Sequence, residues 1–249
     1  TITDMDVVGD AHSLTLAGGV LTISTGTLSA TDVGTSTDDT VFARLNYAAA
    51  TNIEIRKTRL NLSVDDGGDG TWDDLGTASI SSGIADLDDV KMVNEDTNQV
   101  LVGPADGSAF TTDDTEGNPS GTSAAQKSFT ETINLNAGQV LHVKITADVK
   151  IANTRTGENF VAGSKVAISL EDYAENVGVT ELKYSGTNTA LAATDIVPNA
   201  EIHGATLTVR ASSITLSLSS TPADQPVVKG RQNVDVVGIV FAATNASPI

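Results

Sequence analysis

Five aspartates, four glycines and the chain's only tryptophan stand together in DDGGDGTWDDLG, Asp65 to Gly76. Oxygen ligands along a glycine-rich loop are what calcium requires: six to eight oxygens at about 2.3–2.6 Å, with a glycine where the loop turns sharply. Counted from Asp65 as the first position of an EF-hand-like loop, Asp69 falls at the fifth, Gly70 at the sixth, Thr71 at the seventh and Asp73 at the ninth. Gly67 stands where a third-position carboxylate belongs, and Gly76 where the bidentate glutamate belongs. The flanks read as strands. A true EF-hand is therefore excluded. What remains is a looser calcium-binding turn between strands, with Asp65, Asp69, Asp73 and Asp74 as ligands, or a plain solvated turn.

Other residues of chemical interest are more scattered. Asp86, Asp88 and Asp89 form one acidic cluster; Asp113, Asp114 and Glu116 form another. Their oxygens suit a metal, but the spacing is nonspecific, and each reads first as a solvated loop or a strand-edge guard. His12, His142 and His203 stand alone, without the HExxH or HxH spacing of a zinc site. No GxSxG and no phosphate-binding glycine loop occur. A carboxylate pair for glycoside hydrolysis is compatible with the spacing, yet one Trp and three Tyr are a poor supply for an aromatic-lined cleft. The expectation is no enzyme. Asn61-Leu62-Ser63 and Asn245-Ala246-Ser247 match the glycosylation sequon.

Composition narrows the partners. With 14 Lys+Arg against 32 Asp+Glu, the 249-residue chain has a net charge of -18. Phosphate affinity rests on basic residues that release counterions, so a nucleic-acid partner is ruled against, as is docking on anionic lipid. An acidic surface serves solubility or gathers divalent cations. The absence of cysteine excludes a disulfide scaffold, a thiol nucleophile and Cys-ligated zinc, and fits an exported bacterial or archaeal surface protein. No apolar run approaches the roughly 20 residues of a membrane helix. The opening at Thr1 reads as a processed or trimmed product.

The elements that must position these residues follow a period of two. In LHVKITADV, Leu141, Val143, Ile145, Ala147 and Val149 face one way; His142, Lys144, Thr146 and Asp148 face the other. In NIEIRKTRLNLSV the inward set is Ile53 and Ile55, then Leu60, Leu62 and Val64. That parity change predicts a β-bulge near Lys57-Thr58. SLTL, TVFARLNYA, KVAISLED, ITLSL and VDVVGIVF also alternate, and Gly/Asn/Asp/Ser/Thr turns separate the runs. No stretch carries a helical stripe. The expected fold is an all-β antiparallel sandwich.

An internal repeat sets the expected organisation. SLTLAGGVLTIS (13–24) lines up with TLTVRASSITLS (206–217) at a constant offset of 193 residues. After a one-residue slip, ARLNYAAATN (43–52) lines up with VGIVFAATNA (237–246), pairing Leu45 with Ile239 and Tyr47 with Phe241. A tandem array explains this. Residues 1–204 are expected to form one module, as a single sandwich or two sub-sandwiches, with a long polar insertion at 104–126. Residues 205–249 then open a second, incomplete copy.

The order ATLTVRASSITLSLSS, NVDVVGIVFAATN, TRLNLSVDDGGDGTWDD, DDVKMVNEDTNQVLVGP, INLNAGQVLHVKITADV resembles tandem Ig-like modules of large prokaryotic cell-surface proteins, S-layer-type or adhesin-like. The resemblance implies Ig-like β-sandwich modules in tandem, in an extracellular structural protein that assembles with copies of itself as a surface layer or filament. Calcium would stiffen its loops. The alternative is an adhesin or carbohydrate-binding module of a larger exported protein, whose partner would be a cell-surface glycan. Fold by itself decides between neither.

Overall fold

The computed structural model describes residues 20–28, 32–65, 67–68, 70–73, 84–117, 123–150, 160–173, 180–210, 213–223 and 226–244. In chain order its strands are β1 (Leu21–Thr25), β2 (Asp32–Gly34), β3 (Thr37–Ala49), β4 (Ile53–Asp65), β5 (Leu87–Asn94), β6 (Val100–Ala105), β7 (Thr111–Gly117) and β8 (Ser123–Phe129). There follow β9 (Ile133–Leu135), β10 (Val140–Val149), β11 (Lys165–Leu170), β12 (Glu181–Tyr184), β13 (Ile196–Val197), β14 (Leu207–Arg210), β15 (Ser213–Leu218) and β16 (Ile239–Thr244). Helix among the described residues is limited to three short 3-10 turns. The all-β expectation holds.

One sheet runs β13-β1-β3-β10-β5-β6, and the other runs β2-β14-β11-β4-β8-β7, with β12 and β9 flanking the first half of β4. A single apolar core joins them, drawn from Leu45, Tyr47, Val143 and Ile145 on one side and Leu60, Leu62, Val166 and Ile168 on the other. Burying each such aliphatic side chain contributes about 1.5–3 kcal/mol. Consecutive long strands β3 and β4 lie in different sheets, so the chain crosses the core within Ala50–Asn52. A polar bridge links β3 to β4. Thr58 Oγ1 lies 3.0 Å from the Tyr173 hydroxyl, which lies 3.4 Å from the Tyr47 hydroxyl. The two rings meet edge-on at 6.5 Å.

The alternation of β10 appears as expected: Leu141, Val143, Ile145, Ala147 and Val149 are buried, His142 is exposed and Lys144 is half-buried. Thr146 and Asp148 are buried as well. The β10–β3 register slips between Ile145 and Thr146, with partners Ala43 and Val41, which leaves Phe42 as the additional residue of a bulge. In β4, Ile53, Ile55, Leu60, Leu62 and Val64 are all buried, and the β12 ladder slips between Glu181 (opposite Lys57) and Leu182 (opposite Ile55). The bulge thus sits where the parity change puts it.

Three stretches read differently in the structure than in the sequence. Much of 104–126 is ordered strand: β7 and β8 pair at the edge of the second sheet, anchored by buried Phe110, Ala124 and Ala125, and Phe110 stacks edge-on against Phe129. Within VDVVGIVF, strand begins only at Ile239. Residues 207–210, matched by the repeat to the N-terminal stretch, form β14, paired with β11 and β2 in the second sheet. The SLTL run at 13–16 lies outside the described residues.

Candidate functional site

Asp65 closes β4, fully buried, directly opposite Lys165 in the β4–β11 ladder. Its Oδ2 accepts a hydrogen bond from the Gly70 N–H at 2.9 Å and lies 4.0 Å from Lys165 Nζ. Its Oδ1 is buried with no hydrogen-bond partner. The turn is held tightly: Gly68 has φ +64°, and a Cβ there would come within 2.9 Å of the Gly163 and Ser164 backbone. An L side chain is disfavoured on both counts. Asp73 ties the far side of the turn to β4, its N–H donating to the Val64 carbonyl at 2.9 Å. Asp69 and Asp74, the other two expected calcium ligands, lie outside the described residues. Among the described residues, no three His, Asp or Glu side chains gather as a metal-holding group.

The Asp86, Asp88, Asp89 cluster enters a larger charged rim at the end of β5, β10 and β3. Asp86 is buried, and its Oδ2 accepts from the Phe160 N–H at 2.8 Å. Asp88 lies opposite Asp148 in the β5–β10 ladder. Burial pushes the Asp88 carboxyl up, and Asp106 adds to the rise. For Asp148, burial also opposes ionisation, but the Asp39 N–H at 2.8 Å and Lys150 Nζ at 2.9 Å outweigh it and hold the carboxyl below its usual value. Lys91 reaches Asp39 at 2.7 Å and Asp89 at 3.7 Å. Two ammonium groups thus thread the carboxylates and neutralise much of the charge a cation would need. The side chains of Asp113, Asp114 and Glu116 lie outside the described residues.

The histidines remain apart. His142 meets Asp96 at 3.1 Å on the surface, His203 lies 3.8 Å from Glu201, and His12 lies outside the described residues. An open groove of about 410 Å³ between Pro104, Ala109 and Phe129 carries Lys127 and Glu131 as its charged groups.

Sequence reasoning missed a buried polar group on the far face of β4. Asn61 Nδ2 donates to Glu171 Oε2 at 2.8 Å and to Glu201 Oε1 at 3.1 Å. Burial pushes the Glu171 carboxyl up; the Asn61 bond opposes that rise and Glu201 adds to it. Asn61 is fully buried, so the folded chain does not present it as a glycan acceptor. Asn245 lies outside the described residues.

The C-terminal hairpin carries the plainest functional signal. β15 and β16 pair only with each other among the described strands. Their ladder sets Ile214 opposite Ala243, Leu216 opposite Phe241 and Leu218 opposite Ile239. The β1–β3 ladder sets Leu21 opposite Ala49, Ile23 opposite Tyr47 and Thr25 opposite Leu45. Carried across by the offsets of the internal repeat, the two registers coincide at every pair. Burial does not. Ile23, Tyr47 and Leu45 are 4 %, 1 % and 1 % exposed, whereas Leu216, Phe241 and Ile239 are 62 %, 69 % and 51 % exposed. The hairpin has the apolar inner face of a sandwich without the layer that covers it, and such a patch marks an interaction surface.

No family model matches the chain, and no curated protein matches it in sequence. Among the described residues, the fold is an all-β arrangement of two sheets around one apolar core, followed by a hairpin that pairs with neither sheet and carries exposed apolar side chains.

Proposed function

We propose that this chain is part of an extracellular structural protein: Ig-like β-sandwich modules in tandem, self-assembling with copies of the same protein into a surface layer or filament. The observation that carries the reading is the hairpin. It repeats the β1–β3 pairing of the first sandwich residue for residue and leaves apolar side chains in water where their counterparts are buried. A soluble domain gains nothing from that arrangement, whereas a subunit awaiting the next layer does. The net charge of -18 keeps such subunits apart until they are aligned. Calcium fits the reading at the Asp65 turn, with Asp65, Asp69, Asp73 and Asp74 as ligands, because the orphaned Asp65 Oδ1 is a buried acceptor that a cation would satisfy. The test is direct. The 249-residue chain, concentrated in millimolar calcium, is weighed by light scattering and imaged in negative stain. Lattices or filaments are expected, and monomers that persist at every concentration overturn the assembly.

A further inference from the structure

In the first sandwich β3 is flanked on its second edge by β10, antiparallel, with Leu141 opposite Tyr47, His142 opposite Asn46 and Val143 opposite Leu45. β16 is the counterpart of β3, with Phe241, Val240 and Ile239 in the places of Tyr47, Asn46 and Leu45. We propose that the edge of β16 away from β15 is a strand-accepting site, and that its occupant is a β10-type strand from a further module of the same kind. The strand enters antiparallel, with the residue of Leu141 type opposite Phe241 and that of Val143 type opposite Ile239. This rests on the tandem-module reading above and adds to it the partner strand, its direction and its register.

Three observations support that occupant. The interface is already built once in this molecule, since β10 forms the longest ladder of the first sheet against β3. The acceptor side chains are apolar and in water: Ile239, Val240 and Phe241 are all exposed. An incoming strand with aliphatic residues at alternate positions would cover the Ile239 and Phe241 face from the side, as Val143 and Leu141 cover Leu45 and Tyr47. Main-chain bonds supply the affinity of such strand addition, and the alternate side chains supply its selectivity. A segment of helical or all-polar pattern lacks the alternate apolar side chains that supply the selectivity.

The probe is a labelled synthetic peptide with the sequence of residues 140–149, VLHVKITADV, titrated into the full chain and followed by anisotropy. Saturable one-to-one binding is expected. It should weaken at least tenfold in Phe241→Asp, and be unchanged in Val100→Asp, an exposed position on the edge strand of the first sheet. Trp72 fluorescence checks in each variant that the sandwich still folds. A peptide of the same composition with its aliphatic residues clustered should not bind. Absence of saturable binding, equal binding by the clustered peptide, or equal binding by Phe241→Asp overturns the proposal. Chain dimers that vanish in Phe241→Asp, without peptide binding, overturn the β10-type occupant in favour of hairpin-to-hairpin pairing and leave the assembly reading standing. Peptide binding by a chain that never assembles supports the site and removes the filament.

Discussion

Leu45 and Ile239 occupy the same place in the repeat and the same place in two ladders, yet one is 1 % exposed and the other 51 %. Substituting each by alanine therefore isolates what the covering layer contributes. At Leu45 the change removes three buried carbons between Thr25 and Val143, its neighbours across the sheet. The lost transfer energy and the cavity left behind together cost about 2–5 kcal/mol. At roughly 2–4 °C per kcal/mol for a chain of this size, the melting temperature falls by about 10 °C. At Ile239 half the side chain is already in water and no enclosed cavity can form, so the loss is about 1 kcal/mol or less. The assay is thermal unfolding followed at Trp72, half-buried in the turn that follows β4, alongside far-ultraviolet circular dichroism for the whole chain. Leu45→Ala should shift the Trp72 transition strongly and Ile239→Ala should leave it in place. If Ile239→Ala in the monomer costs as much as Leu45→Ala, the hairpin face is covered by its own sandwich and the argument from exposure fails.

The Glu171 carboxyl, pushed up by burial, favours the fold while protonated, and that contribution is lost as pH rises through the raised value. Glu171→Gln should exceed the parent in urea midpoint at pH 7, with the difference vanishing below about pH 4, where both states of the parent are protonated; parallel pH curves for the two proteins would reject this. Calcium at a hundred times its dissociation constant should stabilise the chain by about 2.7 kcal/mol, read as a rise in melting temperature that Asp65→Asn abolishes. A flat calcium response in the parent removes calcium from the reading. Gly204 passes between the sheets, where a Cβ would collide with the Ile168 carbonyl and sit 3.0 Å from that of Phe42. Gly204→Ala should cost about 3 kcal/mol or more by denaturant titration, and parent-like stability would contradict so close a crossing.

Alternation made the strands legible, down to the parity change at Lys57-Thr58, because the side-chain period of a strand is fixed by the backbone. It assigned residues to faces but not what lies on each face. Asn61, Ser63 and Asp65 stand opposite Leu60, Leu62 and Val64 as read, yet they too are buried. Covering of the outer face is a tertiary fact with no local signature. The Asp65 turn announced itself through its glycines; its partner Lys165 did not, since the pairing of 65 with 165 exists only once β4 and β11 lie side by side. The same holds for Asn61, Glu171 and Glu201, which come from three distant stretches. The repeat was the most legible feature. Its one-residue change of offset falls between the matched strands and leaves the ladder register untouched.

Two of the sandwich's ladders are parallel: β1 with β13, and β2 with β14. They join the first described strands of the sandwich to its last. Tension applied through the chain at either end drags such partners along their shared axis in opposite directions, so every bond of the ladder is sheared at once. The hairpin is arranged the other way. Its ends, Ser213 and Thr244, lie opposite each other, and the same pull would peel it open one pair at a time. Since the rate of forced unfolding is set by the barrier, stretching a single molecule should open the uncovered hairpin at low force and the sandwich only at high force. The parallel ladders thereby resist a steady pull along the chain, and under the tandem-module proposal the hairpin would gain that resistance when a neighbouring strand pairs with it.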